Sequence, residues 1–135
     1  MRRRFELLEH TADLAIRVRG GDLPELFANA AYAMFCQLAD LERLTPSMMR
    51  QVVVQGWDHE SLLVNWLNEL LYLHETRGEV YTDFQVEALT PQRLQATVRG
   101  VPTAEVRTII KAATYHGLSI TETAEGLEAT IVFDV

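Results

Sequence analysis

Between Asp58 and Gly78 the sequence encodes one long helix and marks both of its ends. Asp58 can cap it, because a carboxylate there accepts an N–H that the first turn leaves unpaired, and Gly78 can stop it by turning left-handed. Leu62, Leu63, Trp66, Leu67, Leu70, Leu71 and Leu73 make an apolar face too wide for a lone helix in water, so other elements must cover it. The narrower stripe Asn65, Asn68, Glu69, Tyr72 and Thr76 reads first as a solvated face and second as a partner surface. A shorter helix is expected after Gly20-Gly21. There Asp22 and Glu25 have capping-box spacing, Pro24 fits a first turn, and Leu23, Leu26, Phe27, Ala30, Ala31, Met34 and Leu38 form a stripe.

The rest of the chain alternates. Arg3–Leu8 reads as a short strand, followed by the polar turn Glu9–Ala12. Leu14, Ile16 and Val18 then share one face while Asp13 falls on the other. Gln51–Gln55, with three consecutive valines, reads as a buried or nearly buried strand. Val80–Ala88 and Leu94–Val98 flank Thr90-Pro91 as an antiparallel hairpin, and Ile109–Glu122 with Leu127–Val135 form a second one around Glu125-Gly126. Gly100–Arg107 is the least regular stretch. The predicted order is ββαβαββββ: an α+β chain, mostly antiparallel sheet with two helices packed on it, organised as one domain over residues 1–135.

At 135 residues such a chain can bury a core without staples. The lone Cys36 excludes a disulfide framework and points to a cytoplasmic protein. No apolar run approaches the roughly 20 residues of a membrane span, so no membrane association is expected. The net charge of −7 argues against direct nucleic-acid binding, which depends on Lys and Arg neutralising phosphates. There is no phosphate-binding glycine loop, nucleophile elbow or His/Cys metal spacing.

The chemistry gathers at the two ends. With Glu125-Gly126 as a two-residue turn, Leu118 faces Phe133 and Ile120 faces Ile131, which collects the apolar residues on one side. That register sets Asp134 opposite Gly117, on a face shared with Lys111, Ala113 and Tyr115. Val135 adds an α-carboxylate beside Asp134. With Asp13 as a third group, these oxygens suit a hard divalent cation such as calcium or magnesium. His10 would tilt the preference toward a transition metal. Carboxylates so paired without a cation repel, and invite a cationic partner such as Lys111. The plainer alternative is that Asp13 and Asp134 are unrelated acids at strand ends.

Several segments together resemble one family. They are Phe5-x-x-Leu8-Glu9-His10-Thr11-Ala12-Asp13-Leu14, Glu60-Ser61-Leu62-Leu63, Asn68-Glu69-Leu70-Leu71-Tyr72, Ile110-Lys111-Ala112-Ala113-Thr114-Tyr115-His116 and Val132-Phe133-Asp134-Val135. In this order they resemble the archease family along essentially the whole chain. The resemblance implies an SHS2-type core and a role as accessory factor to an RtcB-type RNA ligase in tRNA splicing and RNA repair. Such a factor promotes guanylylation of the ligase and its multiple turnover, and is not itself an enzyme. It also implies functional roles for His10, Asp13, Lys111 and Asp134, and metal binding, calcium among the candidates, at Asp13, Asp134 and Val135. Gly100–Arg107 departs from the family pattern, which leaves that loop without an assigned role. Two other readings stay open on the residues alone. One is a metal-dependent phosphoester hydrolase with His10 as base; the other is a metal-free interaction module using Asn65, Asn68, Glu69 and Tyr72.

Overall fold

The computed structural model describes residues 4–8 and 13–135. Its elements run β1 (Phe5–Leu8), β2 (Leu14–Gly20), α1 (Leu23–Leu38), β3 (Met48–Gln55), α2 (His59–Arg77), β4 (Val80–Thr90), β5 (Arg93–Val101), β6 (Ala112–Ala113), β7 (Ile120–Thr123) and β8 (Gly126–Asp134). The class is the predicted α+β one. Two antiparallel sheets form, one ordered β1-β2-β8-β6 with β7 also paired to β8, the other ordered β3-β5-β4.

Both helices start at their capping residues, and α2 also stops at one. The Asp22 carboxylate accepts the Glu25 N–H (2.9 Å), and the Asp58 carboxylate accepts the Ser61 N–H (2.8 Å). Gly78, at φ 76°, ends α2. Helix α1 packs against β2 of the first sheet and β4 of the second, which is why it is buried nearly all round. Helix α2 packs on β3 and β6. The core joins both sheets: Ile16, Val18, Ile131 and Phe133 from the first, Val52, Val98 and Tyr81 from the second, and Phe27, Phe35, Trp66 and Leu67 from the helices. Trp66 is fully buried, and its indole N–H donates to the Phe27 carbonyl at 2.9 Å, tying α2 to α1.

Three strand expectations need correction. β3 is an edge strand, and Val53 is exposed on its outer side, so the three valines are not all buried. β4 does not alternate cleanly; it shifts register between Tyr81 and Asp83 and again between Val86 and Ala88. The closing hairpin turns on Ala124-Glu125 rather than Glu125-Gly126, pairing Ile120 with Ala129 and Thr123 with Gly126. Gly126 (φ 137°) is a glycine because a Cβ there would lie 2.5 Å from the Gly20 carbonyl oxygen. Close approach and the positive φ both demand it. The slip is two residues, so the faces of β7 keep their predicted sense.

Upstream, the predicted long strand breaks in two. From Ile120 back to Ala113 is seven residues, whereas the paired stretch of β8, Ala129 to Phe133, is four. The three surplus residues leave the sheet through a turn in which the Leu118 N–H donates to the Tyr115 carbonyl (3.0 Å), with Gly117 at φ 65°. Asp134 is therefore paired with Ala112, not Gly117. His116 is exposed on this turn.

Candidate functional site: the acidic end of the first sheet

Strands β2 and β8 bring the two ends of the chain together. Their register pairs Leu14 with Phe133. Asp13 directly precedes Leu14 and Asp134 directly follows Phe133, so this pair carries both acids to the same end of the sheet. Both acids fall on the outer face, away from the side that buries Ile16, Ile131 and Phe133. Asp13 is half-buried and Asp134 exposed. His10 lies outside the described residues.

Lys111 stands next to Asp134, but through the backbone. Its N–H donates to the Asp134 carbonyl at 2.8 Å. The two side chains form no ion pair among the described residues. The predicted common face also fails: Ala113 is buried opposite core-facing Phe133, and Tyr115 has left the sheet for the turn. The odd number of looped-out residues is the physical cause, since it inverts the alternation that a continuous strand would have kept. Lys111 lies just beyond the paired residues. It lines a shallow open groove with Val106, Arg107, Thr108, Ile109 and Val135. Three of these are exposed apolar residues, Ile109 most of all at 74%. The irregular segment carrying them is pinned to the end of α1, where the Arg107 N–H donates to the Leu38 carbonyl (2.7 Å).

Farther along the same outer face the charges are balanced. Glu6 pairs with Arg17 and with Arg19 (3.0 Å), while Glu128 lies 3.5 Å from Arg17 and 3.3 Å from Arg19. The two guanidinium groups, Arg19 foremost, hold the Glu6 carboxyl below its usual range. Buried Ala15 and Val132, a cross-strand pair, separate this network from Asp13 and Asp134.

The residue that sequence reasoning undervalued is Asn68. It was grouped with a solvated stripe, yet it is half-buried and makes two hydrogen bonds to one residue of β6. Asn65, in the same stripe, donates to the Gln55 carbonyl (2.8 Å). Two of the four residues proposed as a docking surface are thus engaged within the chain. A signal was available: asparagine is a poor helix former, and one set among leucines in mid-helix calls for a tertiary partner.

For a metal, the available donors are hard oxygens. Two side-chain carboxylates lie on adjacent strands, and Val135 follows Asp134 directly. Among the described residues no three His, Cys, Asp or Glu side chains gather into a metal-holding cluster. The donor chemistry suits a calcium-like cation, but this set falls short of the six to eight oxygens that calcium takes. Asp13, Asp134 and Val135 would hold one face of such an ion and leave the other open.

These features define a class: a small α+β protein of two antiparallel sheets whose distinctive chemistry is an open acidic edge with an adjacent lysine. The chain belongs to the Archease protein family, whose model matches residues 5–135. It is 38% identical to protein archease of Methanosarcina mazei, over 98% of this chain and 97% of that one. It is 34% identical to protein archease of Sulfurisphaera tokodaii, over 98% and 99%. The solution structure of Methanobacterium thermoautotrophicum protein 1598 superposes with a TM-score of 0.80 at 30% identity, covering 98% of this chain and 99% of that one. Among the described residues no helix is long and apolar enough to cross a membrane.

Proposed function

We propose that this protein is an accessory factor that activates an RtcB-type RNA ligase, promoting its guanylylation and multiple turnover in tRNA splicing and RNA repair, and that it is not itself an enzyme. The observation that carries the proposal is that the pairing of β2 with β8 brings Asp13 and Asp134 to the same end of the sheet, with the backbone of Lys111 bonded to Asp134. In this reading Asp13, Asp134 and the α-carboxylate of Val135 hold one face of a divalent cation, calcium being the candidate by donor type. Such a cation supplies positive charge for nucleotide phosphates. The coordination that this chain leaves open is then completed by the partner or its nucleotide. Lys111, whose backbone meets Asp134 and whose side chain lines the groove with Val135, adds a cation at this end of the sheet that can meet a phosphate. His10 remains a proposed contributor on the strength of the family resemblance alone.

Membership of the archease family supports this reading, as does the exposure of Asp134. A phosphoester hydrolase would gain from an enclosed substrate pocket and a placed general base. The base candidate, His10, lies outside the described residues, and the groove beside Lys111 is open rather than enclosed. The test is ligase guanylylation in the presence of Asp134→Ala. Stimulation should fall to the level of ligase alone, while the variant keeps its fold. Undiminished stimulation would remove the acidic edge from the mechanism.

A further inference from the structure

We infer that Asn68 is a positioning residue for the acidic edge, its side-chain amide standing in for the strand that β6 lacks and thereby holding Lys111 against Asp134. The inference deepens the proposed function and rests on it for the importance of Lys111. Strand β6 has two residues and sits at the border of its sheet. Its inner side is held by β8, where the Thr114 N–H donates to the Val132 carbonyl (3.0 Å). Its outer side would leave the Ala113 N–H and C=O unpaired, although Ala113 is buried. Asn68 satisfies both. Its Oδ1 accepts the Ala113 N–H at 2.7 Å, and its Nδ2 donates to the Ala113 carbonyl at 3.1 Å.

A carboxamide carries the same donor and acceptor pair as a peptide group, which is why this residue type fits. Glutamine would overshoot by one methylene, and aspartate would face the Ala113 carbonyl with no donor. The support behind the amide is firm, because Trp66, two residues earlier on α2, is buried and bonded to α1. Near the start of the same helix the Glu60 carboxylate accepts the Ile120 N–H (3.2 Å), so α2 grips the broken edge on both sides of the excursion at 114–119. Two residues before Ala113, the Lys111 N–H meets the Asp134 carbonyl. The clamp on Ala113 therefore sets how the lysine enters the site.

The experiment compares Asn68→Ala with Asn65→Ala, a lesion of the same size one turn away that does not touch β6. Amide hydrogen exchange is followed on the protein alone, and guanylylation stimulation and ligase affinity are measured in parallel. Asn68→Ala should speed exchange at Lys111 and Ala113 and leave Ile131 protected. It should cut stimulation by roughly 10–100-fold, the usual loss for a residue that orients a site group, while ligase affinity is retained. The double variant Asn68→Ala/Lys111→Ala should be no worse than Lys111→Ala alone, whereas a general loss of stability would multiply the two effects. Asn68→Asp, which keeps the acceptor and loses the donor, should fall in between, and it serves if the alanine variant does not fold. Unchanged exchange at Lys111 overturns the inference. So does freed exchange with full stimulation, provided Asp134→Ala abolishes stimulation, in which case the proposed function stands. If Asp134→Ala also stimulates fully, the ligase reading falls, and the exchange data alone decide whether Asn68 positions Lys111.

Discussion

The outer face of the first sheet carries carboxylates at both ends, and they are treated in opposite ways. At one end Glu6 and Glu128 are met by Arg17 and Arg19, two acids against two bases. At the other lie Asp13 and Asp134, and the nearest lysine offers Asp134 its backbone rather than an ion pair. Asp134 is exposed and meets no cationic side chain among the described residues, and a second carboxylate at the same end of the sheet is an arrangement that a bound cation would favour. The second sheet repeats the balanced pattern at one end, in a part-buried pair. Arg50 grips Glu79 with two bonds of 2.8 and 2.7 Å, and the Tyr81 hydroxyl donates to the same carboxylate at 2.5 Å. Burial of the Tyr81 phenol and its neighbour Glu79 both raise its pKa, keeping it protonated and a donor.

The contrast is sharpest where the expected effect is largest, in the Arg50–Glu79 pair. Arg50→Ala should cost about 2–4 kcal/mol in chemical denaturation, because it leaves a mostly buried carboxylate without its partner. Ligase stimulation by the folded protein should be unaffected. The pair also sets an acid limit. Arg50 lowers the Glu79 carboxyl pKa, with Tyr81 assisting against burial. Its stabilisation is therefore fully present above the unfolded carboxylate value of about 4.3 and is lost as pH falls through the depressed native value. Equilibrium unfolding of Glu79→Gln against pH should show a lower plateau at neutrality and a flatter fall below pH ~4. An acid limb as steep as that of the parent would place the acid-sensitive group elsewhere.

Next in size is the test of Val135. Appending a glycine after Val135 moves the α-carboxylate one residue outward while leaving Asp134 and the β8 ladder in place. About 10-fold weaker divalent-cation affinity, read by calorimetry, is expected, with an unchanged unfolding midpoint. Unchanged affinity would strike Val135 from the donor set. The smallest effect belongs to the balanced end. Glu6→Gln should shift the unfolding midpoint slightly, and the shift should shrink as salt is added, since exposed ion pairs are weak and screened. It should leave stimulation alone.

Much of this was legible beforehand, for identifiable reasons. The starts of both helices and the stop of α2 follow from local capping chemistry at Asp22, Asp58 and Gly78, and their apolar faces from simple periodicity. The outward placement of Asp13 follows from the alternation of Leu14, Ile16 and Val18. The partnership of Asp13 with Asp134 did not, because it depends on β2 pairing with β8 across more than a hundred residues. The position of Lys111 was half legible. Its nearness to Asp134 was expected, but the break at 114–119 reset the register, and nothing in the alternation of Ser119–Thr123 announces an odd insertion upstream. Gly126 misled because a glycine needed for close approach to Gly20 looks the same in sequence as one needed for a turn. Asn68 was hidden because a polar residue on a helix has water as its default partner, and only the fold shows that an unpaired strand edge lies there instead.

The most direct measurement sets the two ends of the sheet face against each other in one assay: ligase guanylylation and turnover with Asp134→Asn beside Glu128→Gln. Each substitution removes one negative charge from β8 with little change of shape. The account predicts that Asp134→Asn abolishes stimulation and that Glu128→Gln retains it. Full stimulation by Asp134→Asn, or equal loss from both, would contradict the claim that the acidic end is the part of this protein that acts on its partner.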